Sequence, residues 1–194
     1  GKTTLVHDII SKQNFTKTIK VVYYFSCLSK SPDLKWHESM PSVAVYYHQG
    51  LPSPEFFSTI EPYSVVVVDD QWETSIENQA ITRAFKVDSR HQKFSIILVT
   101  QSIFDQGKWG KTIRLNTEVF ILFRNYGDAK TNSRLTNQMG LKERYLACME
   151  FAAKEKHAYC VINTSPHVEV DELRVQTNMF GEFTKFGPFP LFFT

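Results

Sequence analysis

Ser64-Val65-Val66-Val67-Val68-Asp69-Asp70 is the stretch whose reading decides the fold. A run of β-branched residues with no polar alternation describes a strand buried on both faces, as in parallel sheets covered by helices. The two acids closing it then stand at the carboxyl edge of the sheet, where open α/β sheets bind ligands. The same residues also fit an ordinary core strand that ends in a solvated Asp-Asp turn. Outward from this run, residues 19–25 and 94–100 read as strands of similar composition, and 43–47 as a shorter one. Residues 3–12, 54–60 and 75–85 read as helices, the second opened by Ser53 as N-cap and Pro54 at the first helical position. Residues 26–42 read as a polar loop. Further on come strands at 118–123 and 158–162, helices at 130–139 and 142–153, and one more strand at 173–177. Strands alternating with helices predict an α/β fold with a largely parallel sheet.

The composition is that of a globular chain. Of 194 residues, 42% are hydrophobic and 22% charged, enough for one domain with a sizeable core. No apolar run is long enough to span a bilayer, and no signal-peptide pattern is visible. Cys27, Cys148 and Cys160 stand far apart, and neither they nor the six histidines show metal-ligand spacing. Reduced thiols are the expectation. The net charge of +2 hides an asymmetry: residues 83–156 hold 14 Lys and Arg against 7 Asp and Glu, so the remainder carries −5. Such a basic half suits a polyanion, and equally suits solvated helix faces.

The chain opens on Gly1-Lys2-Thr3-Thr4, which matches the end of a phosphate loop, G-x-x-x-x-G-K-[ST], running into a helix. A helix start offers free N–H groups and partial positive charge to an anion. Gly1 and Thr4 belong to that cradle, Lys2 supplies a charge for the β- and γ-phosphates, and the Thr3 hydroxyl suits Mg²⁺. The first half of such a loop and the strand feeding it belong ahead of Gly1. The tetrapeptide alone also fits an ordinary turn into a helix. A third element, Val99-Thr100-Gln101, closes the strand after the Asp69-Asp70 strand. There Gln101 can donate to a γ-phosphate and accept from water. In this order the three make up the parts of an ATP hydrolase: Asp69 beside Mg²⁺, Asp70 taking a proton from the attacking water, and Gln101 orienting that water. The fold expected is thus a P-loop NTPase, a mostly parallel sheet flanked by helices, with an extra strand between the Walker A and Walker B strands.

Arg90, ahead of the Gln101 strand, is the first candidate for an arginine that reaches a neighbouring subunit's γ-phosphate. Arg83, Arg114 and Arg124 are rivals, and each also fits a plain surface arginine. Phe104 and Trp109 among Lys108, Lys111 and Arg114 suit either a loop touching nucleic acid or packed aromatics beside solvated cations.

Residues 97–104 (Ile-Leu-Val-Thr-Gln-Ser-Ile-Phe), Gly107-Lys108, Ile113-Arg114-Leu115-Asn116-Thr117 and Leu122-Phe123-Arg124-Asn125 resemble the genome-packaging ATPases of Polinton-like and adintovirus-like DNA viruses. These belong to the FtsK–HerA superfamily, with the poxvirus and adenovirus packaging enzymes as relatives. His48-Gln49-Gly50-Leu51-Pro52 and residues 171–178 (Asp-Glu-Leu-Arg-Val-Gln-Thr-Asn) share the resemblance. It covers residues 1–180, expected to form the ATPase domain, and leaves 181–194 as an apolar tail. It implies a homo-oligomeric ring that uses ATP and Mg²⁺ to drive double-stranded DNA into a capsid, with capsid or portal-vertex proteins as partners and no membrane. The implied location is a viral assembly site inside the host cell, in nucleus or cytoplasm, or the virion itself. Lys2, Thr3, Asp69, Asp70 and Gln101 fall on motif positions, whereas the place of Arg90 varies within the superfamily. Two alternatives remain open: a hydrolysis-deficient DNA-binding or capsid-docking remnant, and a related motor for DNA transfer or phage export.

Overall fold

The computed structural model describes residues 1–12, 15, 17–27, 36–104, 108–124, 129–154, 157–177 and 180. The chain divides into two compact units, one formed by Gly1–Asn116 and the other beginning at Thr117. The first unit runs α1 (Lys2–Ser11), β1 (Val21–Ser26), α2 (Trp36–Ser39), β2 (Ala44–Gln49), α3 (Pro54–Thr59) and β3 (Val65–Asp69). It continues through α4 (Trp72–Ser75), α5 (Gln79–Arg83), a π-helical turn (Ala84–Asp88), α6 (Ser89–Gln92), β4 (Ser95–Val99) and α7 (Gly110–Leu115). The four strands form one parallel sheet in the order β2-β1-β3-β4. This is the α/β architecture expected, a parallel sheet flanked by helices.

The valine run sits where its composition demands. Val65, Val66, Val67 and Val68 are all fully buried. Alternation sends Val65 and Val67 into a core with Val6 and Ile10 of α1 and Trp36 of α2. Val66 and Val68 go into the opposite core, with Phe57 of α3, Ile81 of α5 and Ile113 of α7. Each buried valine contributes roughly 1.5–3 kcal/mol relative to an exposed one, which suits β3 to its interior place between β1 and β4. Beyond it, β4 is the outer strand of the described sheet, and Ile96, Ile97 and Leu98 are half-buried.

Ser53 caps α3 as expected, its side chain accepting from the Phe56 N–H at 3.2 Å. The single helix expected over 75–85 is broken, however. The Asn78 side chain accepts from the N–H groups of Ala80 and Ile81 at 2.8 and 3.1 Å, so α5 starts afresh there. The chain then widens into the π-helical turn. The loop expected over 26–42 contains α2, whose Trp36 is buried.

The second unit holds β5 (Val119–Phe123), α8 (Ala129–Gln138), α9 (Lys142–Phe151), a 3₁₀ turn (Ala152–Lys154), β6 (Tyr159–Asn163), a second 3₁₀ turn (Asp171–Arg174) and β7 (Val175–Gln176). Its strands form a separate sheet, β5-β6-β7, antiparallel throughout. The strand expected over 173–177 is thereby shortened to two residues. Arg174 shapes the segment before it, donating to the carbonyls of Asn163, Ser165 and Val168 at 3.4, 3.1 and 2.9 Å. The apolar tail expected over 181–194 lies outside the described residues. No described helix is long and apolar enough to cross a membrane.

Candidate functional site

Parallel pairing brings the ends of β1, β3 and β4 into line: Ser26 faces Asp69, and Asp69 faces Val99. Asp69 shares a strand face with Val65 and Val67, the face that α1 covers. The apolar side of α1 (Leu5, Val6, Ile9, Ile10) is buried, so the helix is seated with its first turn beside the end of β3. There the Thr3 hydroxyl donates to Asp69 Oδ2 at 3.2 Å. The two motifs, 66 residues apart in sequence, meet through these side chains.

A second hydroxyl reaches the same oxygen. Tyr24 of β1 pairs with Val67, lies on the α1 side of the sheet, and donates its phenolic hydrogen to Asp69 Oδ2. Burial first, and then the Asp69 hydrogen bond, push the Tyr24 phenol well above the usual tyrosine range, so it remains a donor at any working pH. Nothing in Val21-Val22-Tyr23-Tyr24-Phe25 marks this residue, because aromatic strand residues usually signal packing alone.

Asp70 faces elsewhere. Its φ is +53°, in the left-handed region that aspartate tolerates better than most side chains. Its N–H donates to the Val99 carbonyl at 3.1 Å. This turn brings the carboxylate to Gln101, whose Nε2 donates to Asp70 Oδ1 at 3.3 Å. Gln71, also missed in the sequence, is buried and ties the turn down, Nε2 donating to the Gly50 carbonyl at 2.9 Å. Gly50 in turn has φ +83°, which suits glycine, and its N–H donates to Ser26 at 2.8 Å.

The arrangement therefore has two halves. One joins a helix start, a hydroxyl and the Asp69 carboxylate. The other pairs the exposed Asp70 with the amide of Gln101. Gly1 is the N-cap of α1, its amino nitrogen lies 3.4 Å from Thr4 Oγ1, and Gly1, Lys2 and Thr4 are all exposed. Hard oxygen donors suit Mg²⁺, which is commonly held by one or two carboxylates plus substrate phosphates. Asp69 with Thr3 fits that partial shell. No cluster of three or more His, Cys, Asp or Glu among the described residues could cage an ion without a substrate.

Arg90 is not brought to these groups within the chain. It lies exposed on α6, just ahead of β4, whereas Gln101 follows the far end of that strand. Five strand residues separate the two sheet edges by roughly 17 Å. The other candidate arginines make the following contacts. Arg83 Nε bonds Asp88 Oδ1 at 3.0 Å, and Arg124 Nη1 lies 3.5 Å from the Ala153 carbonyl. Arg114 donates to the Ile103 carbonyl at 2.9 Å and lies 4.8 Å over the Phe104 ring. Lys108 lies 4.9 Å over Trp109. Both aromatics of the basic loop thus carry cations of their own chain, and Gly107 lies outside the described residues.

No protein-family model matches the chain, and no curated protein matches it. Among solved structures, it is similar to the genome packaging NTPase B204 from Sulfolobus turreted icosahedral virus 2, solved in complex with sulfate. The TM-score is 0.52 at 14% identity, over 91% of this chain and 89% of that one. At this identity the likeness establishes a shared α/β fold over nearly the whole of both chains.

Proposed function

We propose that this chain is the ATPase of a viral DNA-packaging motor, acting as a homo-oligomeric ring that drives double-stranded DNA into a capsid. The observation that carries the reading is the meeting of Thr3 with Asp69 at 3.2 Å. It joins a Gly-Lys-Thr helix start to an acid-tipped interior strand, the pairing a phosphate-bound cation requires. The Asp70–Gln101 pair beside it supports hydrolysis over binding alone. The similarity to a packaging NTPase supports the motor context, as do the motifs that resemble the Polinton-like branch of the FtsK–HerA superfamily.

In this reading Gly1, Lys2 and Thr4 cradle the phosphates at the start of α1, and Thr3 and Asp69 hold Mg²⁺. When bound, the ion neutralises phosphate charge. Asp70 accepts the proton of the attacking water, and Gln101 orients that water by donating and accepting at once. Arg90, at the opposite sheet edge, serves a neighbouring subunit. Capsid or portal-vertex proteins are the partners, and an assembly site in the infected cell is the place of action.

The test is a DNA-stimulated ATPase assay on protein carrying a complete G-x-x-x-x-G-K-T loop through Gly1-Lys2-Thr3. Turnover that rises with double-stranded DNA is expected. DNA binding without turnover would sink the motor and leave a hydrolysis-deficient remnant.

A further inference from the structure

We propose that Tyr24 is the positioning residue of the cation-side carboxylate: its hydroxyl, delivered from the neighbouring strand, sets the orientation in which Asp69 meets Thr3 and a nucleotide-borne Mg²⁺. The inference rests on the phosphate-site reading above and adds a residue that none of the motifs contains. Tyr24 and Thr3 both donate to Oδ2 of Asp69, and their two hydroxyls also meet each other. No other hydrogen bond reaches this carboxylate among the described residues, so Oδ1 keeps its lone pairs for a cation or its water.

The two donors are not equivalent. Thr3 stands in the exposed first turn of α1, and its hydroxyl oxygen is itself wanted as a ligand. Tyr24 is 1% exposed, so its ring cannot swing. Its edge packs on Trp36 at 5.2 Å and 80°, and Tyr47 closes on it at 5.8 Å. An aspartate χ2 torsion is broad and roughly two-fold. Without an anchor the carboxylate would follow Thr3, the group that must turn to the metal. With Tyr24 holding Oδ2 from the core side, Thr3 can engage an ion while Asp69 stays aimed.

The experiment uses Tyr24→Phe, which keeps the ring and its packing, in the same loop-complete protein. Binding of a fluorescent ATP analogue is titrated once with Mg²⁺ and once with EDTA. The gain in affinity conferred by Mg²⁺ should fall about tenfold, the share of one hydrogen bond to a charged group, while affinity in EDTA holds. In an Asp69→Ala background, which leaves the Tyr24 hydroxyl only its contact with Thr3, adding Tyr24→Phe should cost far less than it does in the parent. Equal losses with and without Mg²⁺ would assign Tyr24 to structure alone and overturn the proposal, as would an unchanged gain. If the parent protein shows no Mg²⁺-dependent binding, the phosphate-site reading itself falls, and the role of Tyr24 with it.

Discussion

Asp70 joins a backbone demand to a chemical one, and substitution can separate them. At φ +53° an ordinary L-residue is strained by roughly 1–2 kcal/mol, and glycine escapes that cost. Asparagine tolerates the conformation and keeps an oxygen for Gln101, but it cannot take a proton from water. The Gln101 contact lies at an exposed residue, so its loss weighs little, about 0.5 kcal/mol. Asp70→Ala should therefore be less stable than Asp70→Gly by about 1–2 kcal/mol. In a chain of this size that is a fall in Tm of roughly 2–8 °C. Asp70→Asn should melt close to the parent. All three variants should lose turnover while keeping ATP binding. Thermal melting followed by far-UV circular dichroism, a coupled phosphate-release assay and nucleotide titration read the three properties separately. If Asp70→Ala is as stable as Asp70→Gly, the backbone account is wrong. Turnover retained in Asp70→Asn would remove Asp70 as the proton acceptor.

Lys2→Ala should abolish turnover and also weaken ATP binding strongly, unlike Asp70→Asn; isothermal titration showing equal binding in both variants would contradict the division of roles. Arg90→Ala should leave nucleotide affinity unchanged and cut turnover, with activity returning in rings that mix mutant and parent subunits. Mixed rings no more active than pure mutant rings would end the in-trans role. Asn78→Ala should cost about 1 kcal/mol through loss of the cap on α5, read as a shift in urea midpoint; no shift would mean that the two N–H groups find other partners.

The sequence was legible where a local pattern had a single physical solution. Four adjacent β-branched valines favour a strand covered on both faces, and β3 is such a strand. Ser53-Pro54 can open a helix at little cost, and α3 starts there. Legibility ended where partners come from distant segments. The donation by Tyr24 depends on the register that sets β1 against β3, which no window around residues 21–25 contains. The separate antiparallel sheet was hidden for a similar reason. β5 and β6 are joined by the helices α8 and α9, so the strand–helix alternation that suggests parallel pairing appears although the strands run opposite ways. The break at Asn78 was a competition between two local signals, in which the side-chain cap prevails over apolar residues spaced to continue a helix.

Two adjacent acids on a strand cannot serve one ligand from the same face. In extended backbone their side chains point to opposite sides of the sheet. Asp70 would then project beside Val66 and Val68, towards the core of α3, α5 and α7. The left-handed turn at Asp70 solves this by ending the strand one residue early and carrying the second carboxylate to the end of β4. It also explains why the turn is held at both sides, by the Asp70 N–H on Val99 and by Gln71 on Gly50. Loosening Gln71 from Gly50 would leave the Asp69 carboxylate held, since its hydrogen bonds come from Tyr24 of β1 and Thr3 of α1. In the proposed function the cation half of the site is thereby built into the sheet and the water half into a turn. Substitutions around Gln71 and Gly50 should accordingly disturb hydrolysis before they disturb nucleotide affinity.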